Sequence, residues 1–175
     1  MDEDRFWKMI AASLDNAEDQ DEQEEYLIAQ LELLPPADII SFGLRKDKLL
    51  YDAYTSNLWC AAYIINGGCS DDGFDYFRRW LVSRGKEVYY KAKDNPDSLV
   101  DVIDGEDDYE FEGFGYIALT AFKNKTGKEM YDFIDDDNFK FLESDHPPMV
   151  FTWEENDPES IRAVCPILFE KIMQK

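Results

Sequence analysis

The chain has 175 residues, 45% of them hydrophobic and 15% aromatic, with 39 acidic against 18 basic side chains and a formal net charge of −21. That much apolar material excludes wholesale disorder, and so negative a chain is a poor binder of a phosphate backbone. The length suits one domain, and no break in composition asks for a second, so a single helical domain over residues 1–175 is expected.

From Asp2 to Leu14, acids fill a first turn and Phe6, Trp7, Ile10 and Leu14 recur at helical spacing. Leu27, Ile28, Leu31 and Leu34 repeat that pattern after a polar run from Glu18 to Glu25, until Pro35 and Pro36 stop it. Pro36 opens the next helix, whose inward stripe of Ile39, Phe42, Leu49 and Leu50 extends to Tyr54. Ser56 or Asn57 caps a helix carrying Leu58, Trp59, Ala62, Tyr63 and Ile65, which Asn66-Gly67-Gly68 ends. Ser70 restarts a helix through Arg84. Phe74, Phe77 and Leu81 share its face, with Trp80 and Tyr76 on the flank, so it is expected to be largely buried.

Asn95-Pro96 reads as the cap and first turn of a short helix reaching Ile103, and Gly105 to Asp108 as an acidic loop. Between Glu112 and Lys125, Phe114, Ile117, Ala118, Ala121 and Phe122 fit another helix, closed by Gly127. Residues 130–153 are ambiguous. Phe139 and Phe141 alternate as a strand would, and Pro147-Pro148 limits this to at most a minor strand near 139–151. Asp157-Pro158 begins a last helical region that Pro166 kinks or divides. The expected fold is mainly α, an irregular globular bundle of seven to nine short helices.

Charge is unevenly placed. Residues 1–40 carry a net −10, 41–93 a net +3, 94–137 a net −11 and 138–175 a net −3. Acidic stretches thus flank a mildly basic centre and can fold back onto Arg45, Lys46, Lys48, Arg78, Arg79 and Arg84, or face outward to solvent or a partner. The opening Met1-Asp-Glu-Asp-Arg5 is acidic where a secretory signal is basic and then apolar. The longest uncharged run, Ala53 to Ser70, contains Asn57, Asn66, Gly67 and Gly68 and does not read as a membrane span. Three cysteines, Cys60, Cys69 and Cys165, favour reduced thiols in the cytoplasm.

The most distinctive stretch runs from Asn66 through Gly-Gly-Cys-Ser-Asp-Asp-Gly-Phe-Asp-Tyr-Phe-Arg-Arg to Trp80. A glycine turn before a helix start can hold phosphate, but Asp71 and Asp72 oppose an anion there and no Gly-Lys-Ser/Thr follows. Two readings stay open for Asn66, Ser70, Asp71, Asp72, Asp75 and Arg78. They form either a structural corner, in which acids pair with arginines at helical spacing, or a pocket in which they converge. Cys69 precedes a helix start, yet adjacent acids disfavour its thiolate. His146, the lone histidine, sits in a proline-rich loop with no spacing that ties it to a cysteine, and no zinc pattern exists. Trp7, Trp59 and Trp80 lie at apolar helix positions, whereas Trp153 is free to anchor the C-terminal helix or a partner.

Several of these strings resemble one bacterial family, the domain of unknown function 4240. They are Met1-Asp-Glu-Asp-Arg-Phe-Trp-Lys8, Ala53-Tyr-Thr55, Leu58-Trp59, and the run from Ala62 through Asn66-Gly-Gly-Cys-Ser-Asp-Asp to Arg78 and Trp80-Leu81. The likeness extends through Gly115-Tyr116 to Lys125-Thr-Gly127, is strongest over 53–85 and fades after about 138. It implies a helical, cytosolic domain, sometimes joined to tryptophan-glycine-arginine domains, and it brings no reaction, ligand or catalytic residue.

The leading expectation is a non-enzymatic protein-interaction module with a protein partner, a basic one by charge, and with no nucleic acid, membrane, metal or cofactor. The rival is an enzyme or small-ligand domain built on the 66–79 corner. Oligomeric state is not legible. Calcium is the metal worth testing, because oxygen ligands abound in 104–108 and 132–137, although Ile134 and Asp137 break the EF-hand pattern. Bound calcium would raise the melting midpoint, so unchanged melting with and without the ion removes that role.

Overall fold

Helix starts along the chain are set by short polar side chains that accept from exposed backbone N–H groups. Asp2 accepts from Arg5 N, Asp19 from Glu22 N, Thr55 from Leu58 N, Ser70 from Gly73 N, and Asp157 from Glu159 N and Ser160 N. The computed structural model describes residues 1–105, 109–134 and 146–173. The six helices that follow in order are α1 (Glu3–Asp15), α2 (Gln20–Glu32), α3 (Pro36–Asp52), α4 (Ser56–Asn66), α5 (Asp71–Ser83) and α6 (Lys86–Asp94). A 3-10 turn (Pro96–Asp101) and another (Glu112–Gly115) lead to α7 (Ile117–Thr126), and a third (Met130–Phe133) follows it. The chain closes with α8 (Pro158–Val164) and α9 (Pro166–Leu168), which continues as a π-helical turn, Phe169–Met173.

The fold is mainly α, as expected, and the described residues contain no strand. Residues 146–151 of the expected strand region are unpaired, and 139–145 lie outside the described residues. Four details differ from the sequence reading. The polar run before Leu27 is the first half of α2, because Asp19 caps it and Gln23 is buried, donating to Ser13 Oγ and Ser83 O. Thr55, not Ser56 or Asn57, caps α4. α3 stops at Asp52, leaving Tyr54 in the linker. Helix α6 carries no expectation in the sequence, since its buried face is only Tyr89 and Ala92.

Aromatic rings fill the centre. Phe6 packs on Phe42 at 4.8 Å and edge-on to Trp7 at 5.1 Å, and Trp7 meets Tyr89 at 5.4 Å. Each such ring removed from water contributes about 1.5–3 kcal/mol. α7 lies on α2 and α3, and α4 supports α8, α9 and the Pro96–Asp101 turn.

Several cations of the basic centre are inside. Lys46 donates to Gly115 O at 2.8 Å and pairs with Asp47 at 3.2 Å. Arg79 donates to Glu112 O at 3.0 Å and lies over the Tyr76 and Tyr116 rings. Gly115 makes room for it, because a Cβ there would sit 2.7 Å from Arg79 Cζ. The C-terminal segment is held by Asp97, whose buried carboxylate accepts from Ile167 N at 3.1 Å and Leu168 N at 2.9 Å. Replacing it by alanine strands those N–H groups. Asp97→Ala is expected to lower stability by about 1–3 kcal/mol in urea unfolding, while exposed Asp101→Ala stays within about 0.5 kcal/mol.

Candidate functional site

The corner between α4 and α5 is built as its residues dictate. Gly67, at φ +68°, takes the left-handed conformation that closes α4, and Ser70 Oγ accepts from Gly73 N at 3.1 Å to open α5. Asp71 and Asp72 follow in the first turn, exposed, where their charge suits the helix dipole. Arg78, nearly two turns further on, is buried instead. It is 1% exposed, donates from Nη1 to Leu50 O at 2.6 Å and pairs through Nη2 with Asp75. Its guanidinium carbon lies 4.9 Å from the Tyr54 ring centre and 5.2 Å from that of Phe74.

The six candidate residues therefore part into two groups. Ser70, Asp71 and Asp72 line a cleft of about 720 Å³, together with Trp59, Cys69, Phe151, Trp153, Glu154 and Glu155. Asp75 and Arg78 stand outside its wall as an ion pair in which Arg78 is buried and Asp75 is 26% exposed, and Asn66 ends α4 with Nδ2 buried and without a hydrogen-bond partner among the described residues. The corner is structural on one side and faces open space on the other.

The opposite wall was not legible as part of a site. Thr152 N donates to Ser56 Oγ at 3.0 Å and Trp153 Nε1 to Ser56 O at 2.9 Å, which ties residues 151–155 along the start of α4. Trp153 thus anchors the C-terminal segment, with its ring 5.2 Å from Tyr63. Trp59 donates from Nε1 to Cys69 O at 3.2 Å and stacks on Phe74 at 4.5 Å. Phe151 stands edge-on to Trp59 at 5.1 Å and to Trp153 at 5.9 Å, with half its surface exposed. Both indole donors are used internally, so what the rings offer the cleft is apolar and π surface.

A family model described as "Protein of unknown function (DUF4240)" matches residues 1–124. The chain belongs to that family. Comparison with curated proteins and with solved structures finds no match. The matched span holds the corner and the Trp59 to Asp72 wall, whereas Phe151, Trp153, Glu154 and Glu155 lie beyond it.

Chemistry in this family member's cleft is restricted by its carboxylates. Burial, followed by Glu110, Asp71, Asp75 and Glu155, pushes the Cys69 thiol up to about 12, and its Sγ donates to Ser70 O. His146 stacks on Tyr54 at 4.3 Å and is not in the cleft wall. Cys60 and Cys165 are buried against one another, and the hydrogen bond between them holds Cys165 protonated. Among the described residues no group of three or more histidine, cysteine or acidic side chains is placed to hold a metal ion, and no helix is long and apolar enough to cross a membrane. The calcium expectation reaches 106–108 and 135–137, which lie outside the described residues. Deprotonation is what a Cys69 nucleophile requires. With iodoacetamide near neutral pH, Cys69 is expected to alkylate on the order of 100-fold slower in the native chain than in the denatured one, as followed by mass spectrometry. Equal rates would refute the assignment.

Proposed function

We propose that this protein is an interaction module that receives a basic segment of a partner protein in the cleft between the α4–α5 corner and residues 151–155. The observation that carries the reading is the cleft wall itself: four carboxylates and three aromatic rings with no cationic side chain among the described lining residues. A net charge of −21 steers cationic partners toward the chain, and the cleft gives such a partner a shaped place to dock. The protonated thiol of Cys69 supports binding over covalent catalysis. The odd cysteine count leads us to place the protein in the cytoplasm.

The test separates the cleft from general acidity. Immobilised wild type, the cleft variant Asp71→Asn/Asp72→Asn, and the control Asp21→Asn/Glu25→Gln, altered at exposed positions on α2, are compared in lysate at low and high salt. The control carries the same change in net charge as the cleft variant. The expected result is a partner held by wild type and control, lost from the cleft variant and released by salt. A partner held equally by all three, or indifferent to salt, overturns the reading.

A further inference from the structure

The geometry points to an arginine side chain as the group this cleft takes from its partner, an inference that rests on reading the cleft as a site for basic segments. Asp71 and Asp72 belong to one wall and Glu154 and Glu155 to the other. These carboxylates do not converge as metal ligands do. A divalent ion needs its oxygens within about 2.0–2.6 Å of one point, so a spread set suits a larger cation that meets acceptors on two sides. Phe151, half exposed on the Glu154–Glu155 wall, adds a ring against which a flat cation can lie.

A guanidinium meets all of these demands at once. It is planar, presents five N–H donors in its own plane and leaves both faces free for a ring. An ammonium is a compact and more strongly hydrated point charge, and it gives up more water for fewer contacts. The protein places its own arginines in such surroundings. Arg162 lies over the Phe169 ring at 4.7 Å with Glu159 at 2.8 Å and Glu170 at 3.2 Å. Arg78 lies over Tyr54 and Phe74 while paired with Asp75. The cleft offers the same combination of ring and carboxylates to a guanidinium from outside. Its volume of about 720 Å³ also leaves room for the residues on either side of that arginine.

The test uses three synthetic pentapeptides, Gly-Arg-Gly-Arg-Gly and its lysine and citrulline counterparts, all with blocked ends. Their affinity is measured by calorimetry and by the fluorescence of Trp59 and Trp153. Arginine is expected to bind about tenfold more tightly than lysine, and citrulline, which keeps the shape and loses the charge, not at all. Phe151→Ala is expected to erase most of the arginine preference, weakening the arginine peptide several-fold more than the lysine peptide. Asp71→Asn/Asp72→Asn weakens both peptides at least about tenfold, and the Asp21→Asn/Glu25→Gln control weakens neither. Circular dichroism confirms that each variant is folded. Equal arginine and lysine affinities, lost together in the Asp71/Asp72 variant, overturn arginine recognition and leave the basic-segment reading intact. Absence of binding by any peptide, or equal weakening by the α2 control, overturns both.

Discussion

The burial of Arg78 is the constraint from which the rest of the corner follows. A guanidinium brought out of water has to be matched in charge and in hydrogen bonds, and here Asp75 supplies the first and Leu50 O part of the second. That pairing fixes α5 against the end of α3. It also orders a file of rings: Phe74 and Tyr54 lie on the cation, Trp59 stacks on Phe74, and Phe151 stands on Trp59. The file begins at a charge 1% exposed and ends at a ring half open to solvent. Removing Asp75 costs about 3–5 kcal/mol, because Arg78 is left charged and buried. Disturbance at Arg78 would therefore reach the cleft through packing alone.

Charge is distributed by the same rule. Segment 41–93 is the only one of the four with a net positive charge, yet Lys46, Arg78 and Arg79 spend that charge inside, on Asp47, Asp75 and the carbonyls of Gly115, Leu50 and Glu112. Cations engaged with backbone carbonyls neutralise no surface carboxylate. The exposed face of the corner is left with Asp71 and Asp72, and the facing segment adds Glu154 and Glu155. Cys69 registers the resulting potential, since burial and then nearby carboxylates account for its raised pKa. The acidic flanks do contribute some partners, such as Glu3 near Arg45 and Asp4 on Lys86, but these pairs lie toward the surface, where solvent and salt screen them.

Much of the fold was legible because its signals are local. Pro36, Asn66-Gly67, Ser70, Asp157-Pro158 and Pro166 act on the residues beside them, and each marks a boundary where the structure has one. Helix α6 was not legible because its burial depends on partners far away in sequence: Tyr89 donates to Leu49 O and meets Trp7. Gln23 hid the start of α2 in the same way, since a glutamine reads as surface until Ser13 and Ser83 O are seen to satisfy it. The site divided along this line. Ser70, Asp71 and Asp72 were found from a local glycine–aspartate string, while Asp75 and Arg78 shared the string and pair with each other, Arg78 reaching in to Leu50 O. Nothing in Phe151-Thr-Trp-Glu-Glu155 announces that it lies across from Asp71, because about 80 residues separate them and tertiary contacts with Ser56, Trp59 and Tyr63 bring them together.

Those contacts decide what the corner can do. Alone, a capped helix start carrying two aspartates is a solvated surface, and its carboxylates would hold a cation with little more strength than free ions in water. With Trp153 bonded to Ser56 O and Phe151 set against Trp59, a second pair of carboxylates and a ring face the first across a bounded space. A cation seated there meets carboxylates from two sides, and the ring adds a cation–π contact that strengthens as water is displaced. The family span ends at residue 124, so the acids of the corner belong to the matched part and the ring that would discriminate one cation from another does not. Two of the four cleft carboxylates thus lie within the matched span and two lie beyond it beside Phe151, and the contacts of residues 151–153 with α4 hold the two stretches together.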